Sequence, residues 1–239
     1  MSEMLRTSHI LCKVDDVRAV VRDYQKLGFT VEYGSAPERA HNALLWFPEG
    51  PFIEFFQLPP AFRLLKWPMS VYGGSPAGAR LTRWARRGTG WCDLALETSD
   101  TRLDAARAAL RAGGVRVSRA MGGKRTRPDG QLVRYQFLAA SPDRLPFVVS
   151  SYDPPQRPLG IRHANGARRI SAVHMEVAEA DRPAFDTMTH AAALPADDVL
   201  RVASGPRTRV VSVELSGLTD PVPDTPVHGA VLTAAARKE

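Results

Sequence analysis

Three times along this chain a short apolar strand bearing one polar residue runs into an acid and then a helix. This internal repeat constrains the fold more than any single residue does. The first copy reads His9-Ile-Leu-Cys-Lys-Val-Asp-Asp16, followed by Val17 to Leu27 and Gly28-Phe29. The second reads Asp93-Leu-Ala-Leu-Glu-Thr-Ser-Asp100, followed by Arg102 to Arg111 and Gly113-Gly114-Val115. The third reads His174-Met-Glu-Val-Ala-Glu-Ala-Asp181, followed by Pro183 to Ala193. A strand–helix unit repeated in one chain points to modules that pack around a shared groove.

Residues 7–58 form the first module. Arg6–Val14 reads as a strand. Asp15 or Asp16 caps a helix from Val17 to Leu27, whose Val17, Val20, Val21 and Tyr24 fall at helical spacing. Gly28 suits the left-handed residue that ends it. Thr30–Tyr33, Ala43–Phe47 and Phe52–Gln57 follow as strands between Pro and Gly turns, giving the order βαβββ. Residues 59–90 break the pattern. Ala61–Trp67 is apolar, and Ser75-Pro76 starts a helix, closed by Gly88, whose exposed side carries Arg80, Arg83, Arg86 and Arg87. With Phe62, Trp67, Met69, Tyr72 and Trp84, this insert is either a lid over a pocket or a packed connector.

Residues 91–152 repeat the module, with strands near Val115–Arg119, Val133–Leu138 and Pro146–Ser151. Gly122-Gly123-Lys124 and Pro128-Asp129-Gly130 read as a basic hairpin loop, because they lack the spacing and the Ser or Thr of a phosphate-binding loop. Residues 153–169 form a linker, in which His163 and Asn165 read as turn residues bonding locally. Residues 170–234 form a third, shorter module: strand Ile170–Val177, helix Arg182–Ala193, and strands Val199–Ala203, Arg209–Leu215 and Val227–Thr233.

The length, 239 residues with 44% apolar side chains, suffices to bury a substantial core. The absence of an 18-residue apolar run argues against a membrane span. No secretion-signal pattern opens the chain, so the expected compartment is the cytoplasm, where Cys12 and Cys92 stay as free thiols. The formal charge of 32 − 25 = +7 comes almost wholly from dispersed Arg, with no recognition helix, so nucleic acid is not an expected partner. No nucleophile elbow or dinucleotide fingerprint is present, and nothing calls for an organic cofactor. The expected partner is a small molecule; for the chain itself, homodimerisation stays open.

The phrases His9-Ile-Leu-Cys-Lys-Val-Asp-Asp16, Tyr24-Gln-Lys-Leu-Gly28-Phe29 and Pro51-Phe52-Ile-Glu54-Phe-Phe56 resemble the vicinal-oxygen-chelate superfamily, the glyoxalase fold. Leu145-Pro146-Phe147 and His163-Ala-Asn165-Gly166 are similar to its larger glyoxalase-like subgroup. The resemblance implies an α+β fold in which repeated βαβββ modules form curled mixed sheets around a cavity. It implies an enzyme of isomerase, lyase or epimerase type acting on an oxygenated or carbonyl-bearing metabolite. The alternative is a metal-free protein that binds an antibiotic or other natural product to confer resistance.

In that superfamily the first and fourth strands of each module supply metal ligands. Carried over, this gives His9, Glu54 and Asp93 as ligands to a divalent ion (Zn, Ni, Mn, Fe or Mg), while the fourth strand of the second module offers only Val149 or Ser150. His174 with Glu214, 214 − 174 = 40 residues apart against 54 − 9 = 45, is a second candidate set. Its alternation pattern makes Glu214 solvent-facing. The residues themselves leave alternatives. Glu54 shares a strand face with Phe52 and Phe56, so it is paired with Arg, protonated, metal-bound or catalytic. His9 is either a hydrogen-bonded core residue or a ligand or catalytic group. Asp93 completes a His–Glu–Asp set or anchors an Arg across the groove.

Overall fold

The computed structural model describes residues 5–190, 199–223 and 225–236. The first module contains β1 (Arg6–Lys13), α1 (Val17–Lys26), β2 (Glu32–Tyr33), β3 (Asn42–Leu45) and β4 (Phe52–Phe56). After a 3₁₀ turn at Pro60–Leu65 come α2 (Lys66–Gly73) and α3 (Ser75–Trp84). The second module contains β5 (Gly90–Glu97), α4 (Asp104–Ala112), β6 (Arg116–Val117), β7 (Met121–Thr126), β8 (Leu132–Leu138), β9 (Ala140–Ser141) and β10 (Phe147–Val149). The last part holds β11 (Arg169–Val177), α5 (Arg182–His190), β12 (Leu200–Ser204), β13 (Arg209–Ser216) and β14 (Leu232–Ala234). Residues 191–193 of the anticipated last helix lie outside the described residues.

Strands β1–β4 and β5, β7, β8 and β10 of the two modules merge into one curled eight-stranded sheet of order β2-β3-β4-β1-β5-β10-β8-β7, while β6 pairs with β9 in a small ladder of its own. Its centre is the antiparallel pair β1 and β5, and each of these also pairs in parallel with the last strand of its own module, β4 or β10. A separate four-stranded sheet of order β12-β11-β13-β14 packs behind it. Strand alternation sorts side chains onto two faces. Ile10, Cys12, Ile53, Phe55, Leu94, Leu96 and Val148 face the main core, which they share with α1, α4 and the rear sheet through Val20, Tyr24, Leu110, Val173 and Val213. His9, Leu11, Phe52, Glu54, Phe56, Phe147 and Val149 face the concave side. Burial of Phe55, Ile53, Tyr24 and Leu96 stabilises by about 1.5–3 kcal/mol per large apolar side chain, which locks which face points inward.

Helix α1 starts where anticipated, since the Asp16 carboxylate accepts the Arg18 N–H at 2.8 Å. Gly28 takes φ 81° just after it. Ser75, by contrast, is the first residue of α3 rather than its cap; that position falls to Gly74, with no side-chain bond. Ala61–Trp67, read only as apolar, lies within the helical stretch formed by Pro60–Leu65 and Lys66–Gly73. Gly122-Gly123-Lys124 lies within β7 and is not a loop, because Tyr135 on β8 spreads its ring across Gly123, where a Cβ would sit 2.5 Å from it. No helix among the described residues is long and apolar enough to cross a membrane.

His163 and Asn165 make the expected local turn, with the Gly166 N–H donating to His163 O at 3.0 Å and the Ala167 N–H to Asn165 Oδ1 at 3.2 Å, and they add a long-range clamp. Asn165 Nδ2 donates to Leu27 O at 2.7 Å, answering a carbonyl at the end of α1. His163 Nδ1 accepts the Thr30 N–H at 3.0 Å, so its Nε2 carries the proton and donates to Trp46 O at 2.9 Å. The linker is thereby fastened across the first module. Asn165→Ala is expected to lower stability by about 1–3 kcal/mol, because it strands a partly buried carbonyl. Chemical denaturation measures this, and an unchanged midpoint would show that the linker is not a clamp.

Candidate functional site

The concave face encloses a cavity of about 180 Å³, lined by His9 and Glu54 among aromatic side chains and by the polar groups of Asn42, Arg125, Tyr135, Tyr152 and Gln156. Register explains the first two. His9 lies opposite Phe52 and Leu11 opposite Glu54 in the β1–β4 pair, so His9 and Glu54 project to the same side, two residues out of step. His9 Nε2 stands 3.6 Å from Glu54 Oε2. The imidazole stacks on Phe52 with centroids 4.6 Å apart and meets the edge of Phe147 at 5.7 Å.

A β-bulge fixes the imidazole. In the β1–β5 pair, Thr7 faces Leu96 and His9 faces Ala95, which leaves Ser8 as an extra residue. Ser8 Oγ donates to Glu97 Oε2 at 2.8 Å, and Glu97 is ion-paired to Arg6 at 2.7 Å. With its hydrogen committed, Ser8 Oγ can only accept from His9 Nδ1 at 3.1 Å. His9 is therefore the Nδ1–H tautomer, and its Nε2 lone pair faces the cavity. Asn42 Nδ2 donates to Glu54 Oε1 at 2.7 Å, which orients the carboxyl and leaves Oε2 turned to His9. Two acceptors thus converge with no proton between them unless Glu54 carries one.

Burial acts on both groups. It pulls His9 down to about 3, with Arg125 adding to the effect, so the imidazole stays neutral. It also pushes Glu54 upward, against the Asn42 hydrogen bond and the field of Arg125. Burial and the nearby Glu54 raise Tyr135 and Tyr152 as well, so both phenols keep their protons.

Asp93 is placed elsewhere. Its Oδ2 accepts from Arg80 at 2.6 Å, from Arg83 and from Trp84 Nε1 at 2.7 Å, and its Oδ1 accepts the Leu94 N–H at 2.9 Å. Arg80, expected on the exposed side of α3, is 1% exposed; its other amino group donates to Leu145 O at 2.6 Å and its carbon lies 5.4 Å over Phe147. The carboxylate drew α3 onto the concave face, because a buried acid needs a cation. His174 lies on the rear sheet, half-exposed and 3.9 Å from Glu214, away from the cavity. The structure thus brings His9 and Glu54 together and leaves Asp93 and His174 apart from them. Sequence reading missed Asn42, Arg125 and Tyr135, polar positions on strands β3, β7 and β8, and Tyr152 and Gln156, which follow β10 outside any strand.

The metal set implied by the resemblance can be tested on the repeat itself. A second bulge at Cys92 precedes Asp93, as the bulge at Ser8 precedes His9, so the two halves superpose position by position. Glu54 pairs with Leu11, two residues past His9; its counterpart pairs with Ala95, two past Asp93, and is Phe147. One position is occupied by an Arg-bound carboxylate and another by a hydrocarbon ring. Two donors remain, and a site of four protein ligands does not fit; among the described residues no group of three or more His, Cys, Asp or Glu is placed to hold an ion.

The curled sheet of paired modules defines a class of protein, and comparison with known proteins agrees. A family model described as a glyoxalase-like domain matches residues 8–189. The chain belongs to the glyoxalase-like family, within the vicinal-oxygen-chelate superfamily. No curated protein matches it. Among solved structures it is similar to a hypothetical protein from Staphylococcus aureus, at 16% identity and TM-score 0.68 over 97% of this chain and 99% of that one. It is also similar to the Mn(II)-bound glyoxalase from Novosphingobium aromaticivorans, at 14% identity and TM-score 0.54 over 90% of this chain and 66% of that one. An extradiol ring-cleaving dioxygenase from B. fuscum follows, at 11% identity and TM-score 0.51 over 90% of this chain and 57% of that one. At these identities the likeness extends to the fold.

The pKa shifts give a stability signature. Glu54 binds its proton more tightly when folded, so its contribution is present at low pH and is lost as pH rises through the ordinary carboxylate range toward the raised value. His9 is the opposite case: its contribution is present above 6.5 and is lost as pH falls from there toward about 3. Calorimetry across pH should find Glu54→Gln melting above the wild type at pH 8, with the gap closing toward pH 4. His9→Asn should flatten the acid limb. Parallel curves for all three proteins would contradict both assignments.

Proposed function

We propose that this chain is an enzyme that moves a proton on a compact carbonyl-bearing metabolite, an isomerisation or related lyase-type step, using Glu54 and His9 without a metal held by four protein ligands. The observation that carries the reading is the pair itself: two acceptors 3.6 Å apart, each oriented by a dedicated hydrogen bond, on the wall of the cavity in the concave face. Glu54, ionised in the reacting form, takes a proton from carbon beside the carbonyl; the C–H pair of electrons moves to the carbonyl oxygen as an enolate. A rise in carboxylate basicity by burial suits this task. His9 Nε2, neutral and unprotonated, takes the proton of the neighbouring hydroxyl and hands it to the enolate oxygen, so that the carbonyl re-forms on the former hydroxyl carbon. Return of the Glu54 proton to the adjacent carbon completes the shift. Both groups stand on one side of the cavity, so the proton returns to the face it left. Burial among Phe52, Phe147 and Tyr152 keeps water from competing.

A metal-free binding protein is the second reading, favoured by Phe147 in the place of a carboxylate. Of the insert aromatics, Trp84 lines the cavity, whereas Trp67 and Tyr72 are exposed.

Hydrogen–deuterium exchange at carbon, followed by proton NMR over a panel of α-hydroxycarbonyl and 2-oxo compounds, separates the two. The wild type should exchange at least one compound, and Glu54→Gln should slow exchange by about 10²–10⁴-fold while retaining the fold. Prior treatment with a chelator should leave the rate unchanged. Exchange that survives Glu54→Gln would sink the proposal, and binding of an unaltered ligand without exchange would favour the second reading.

A further inference from the structure

Among the described residues Arg125 is the one cationic side chain on the cavity wall, and the acid–base step above does not use it. It projects from β7, the edge strand of the large sheet, on the same face as Tyr135 of β8. Its Nη2 donates to Gln156 Oε1 at 2.6 Å. A guanidinium carries five N–H donors in a planar fork, so most of its capacity is still turned elsewhere. No carboxylate among the described residues comes within the 4.0 Å of ion-pair contact. Glu54 is near enough to act on it through space but does not touch it. Burial already lowers the affinity of Arg125 for its proton, the mark of a cation held partly out of water without a contact anion.

Arg125 and Gln156 also line a second cavity, of about 370 Å³, whose other side is formed by Glu32, Arg127 and Asp129. They stand at the boundary between that outer space and the chamber of His9 and Glu54. The inner walls beyond them are apolar: Leu11, Phe52, Phe56, Phe137 and Phe147. A ligand that satisfies every surface has an anionic head at the boundary and an apolar body inside.

We propose that the cavity recognises a small organic acid, whose carboxylate lies on the guanidinium of Arg125 beside Gln156 and whose apolar or aromatic body enters between Phe52 and Phe147. This deepens the proton-transfer reading and rests on it for the role of Glu54. A carboxylate matches the planar fork in two parallel N–H bonds. Arg127, the other cation nearby, is already paired with Asp129 at 3.2 Å, so Arg125 suits a single negative charge, and a phosphate dianion would bring a second charge close to Glu54. An anion at this point also favours the protonated form of Glu54, so removing that charge should not weaken binding.

Isothermal calorimetry with benzoate and phenylacetate, each against its uncharged amide, tests this. The wild type should bind both acids and reject benzamide and phenylacetamide. Arg125→Gln should weaken the acids at least ten-fold, and Arg125→Lys, which keeps the charge and guards against a folding defect, should retain the preference for acid over amide. Glu54→Gln should bind the acids at least as tightly as the wild type does. Equal binding of acids and amides, absence of acid binding by the wild type, or unchanged acid binding by Arg125→Gln would overturn the proposal. The assay reads binding alone, so proton exchange surviving in Glu54→Gln would end the catalytic reading and leave this result standing.

Discussion

The antiparallel pairing of β1 with β5 joins the two modules into one sheet, and the position of every cavity residue depends on its register. Strand alternation alone would place His9 on the concave face. The bulge at Ser8 adds what alternation cannot: it brings a hydroxyl beside the imidazole and lets Glu97, anchored by Arg6 near the surface, take the hydroxyl proton. A distant ion pair thereby decides which nitrogen of a buried histidine is bare. The cost of holding two acceptors together in an apolar chamber is met by the cohesion of the sheet, whose opposite face is the main core.

The two halves began from the same plan and diverged in how they handle buried charge. In the second half the acid Asp93 is neutralised by Arg80 and Arg83 and sealed by Trp84, while Phe147 removes the other polar position. In the first half His9 and Glu54 are left without a cation in contact, facing open volume. A buried ion pair contributes little net stability when intact but is expensive to break, so the Asp93 position is closed to a ligand. The first half retains unmet acceptors, which is how a protein keeps a site receptive.

Much of the architecture was legible from the residues. Tyr24 and Val17 at helical spacing, Gly28 at the helix end and the alternation around Glu54 each fixed an element that the structure contains. The resemblance to the glyoxalase fold likewise matches the family to which the chain belongs. The environment of single polar residues was less legible. Asp93 in sequence carries no sign of Arg80, because that contact is made by a helix from an insert with no counterpart in the repeat. Arg125 was hidden by two nearby glycines that suggested a loop; both sit in a strand, where Gly123 leaves the space that the Tyr135 ring occupies. Ser8 gave no signal at all, since a bulge is a property of two paired strands and not of one.

The central claim is that the imidazole of His9 is neutral, protonated on Nδ1, with Nε2 bare toward Glu54. Nitrogen NMR of the histidine-labelled protein, with His9→Asn to assign its signals, reads this directly. Between pH 5 and pH 8 the account predicts one protonated and one unprotonated nitrogen for His9, unchanged across the range, and a switch of tautomer or a mixture in Ser8→Ala. A His9 ring that titrates to the doubly protonated form near pH 6.5, or that carries its single proton on Nε2, would contradict it.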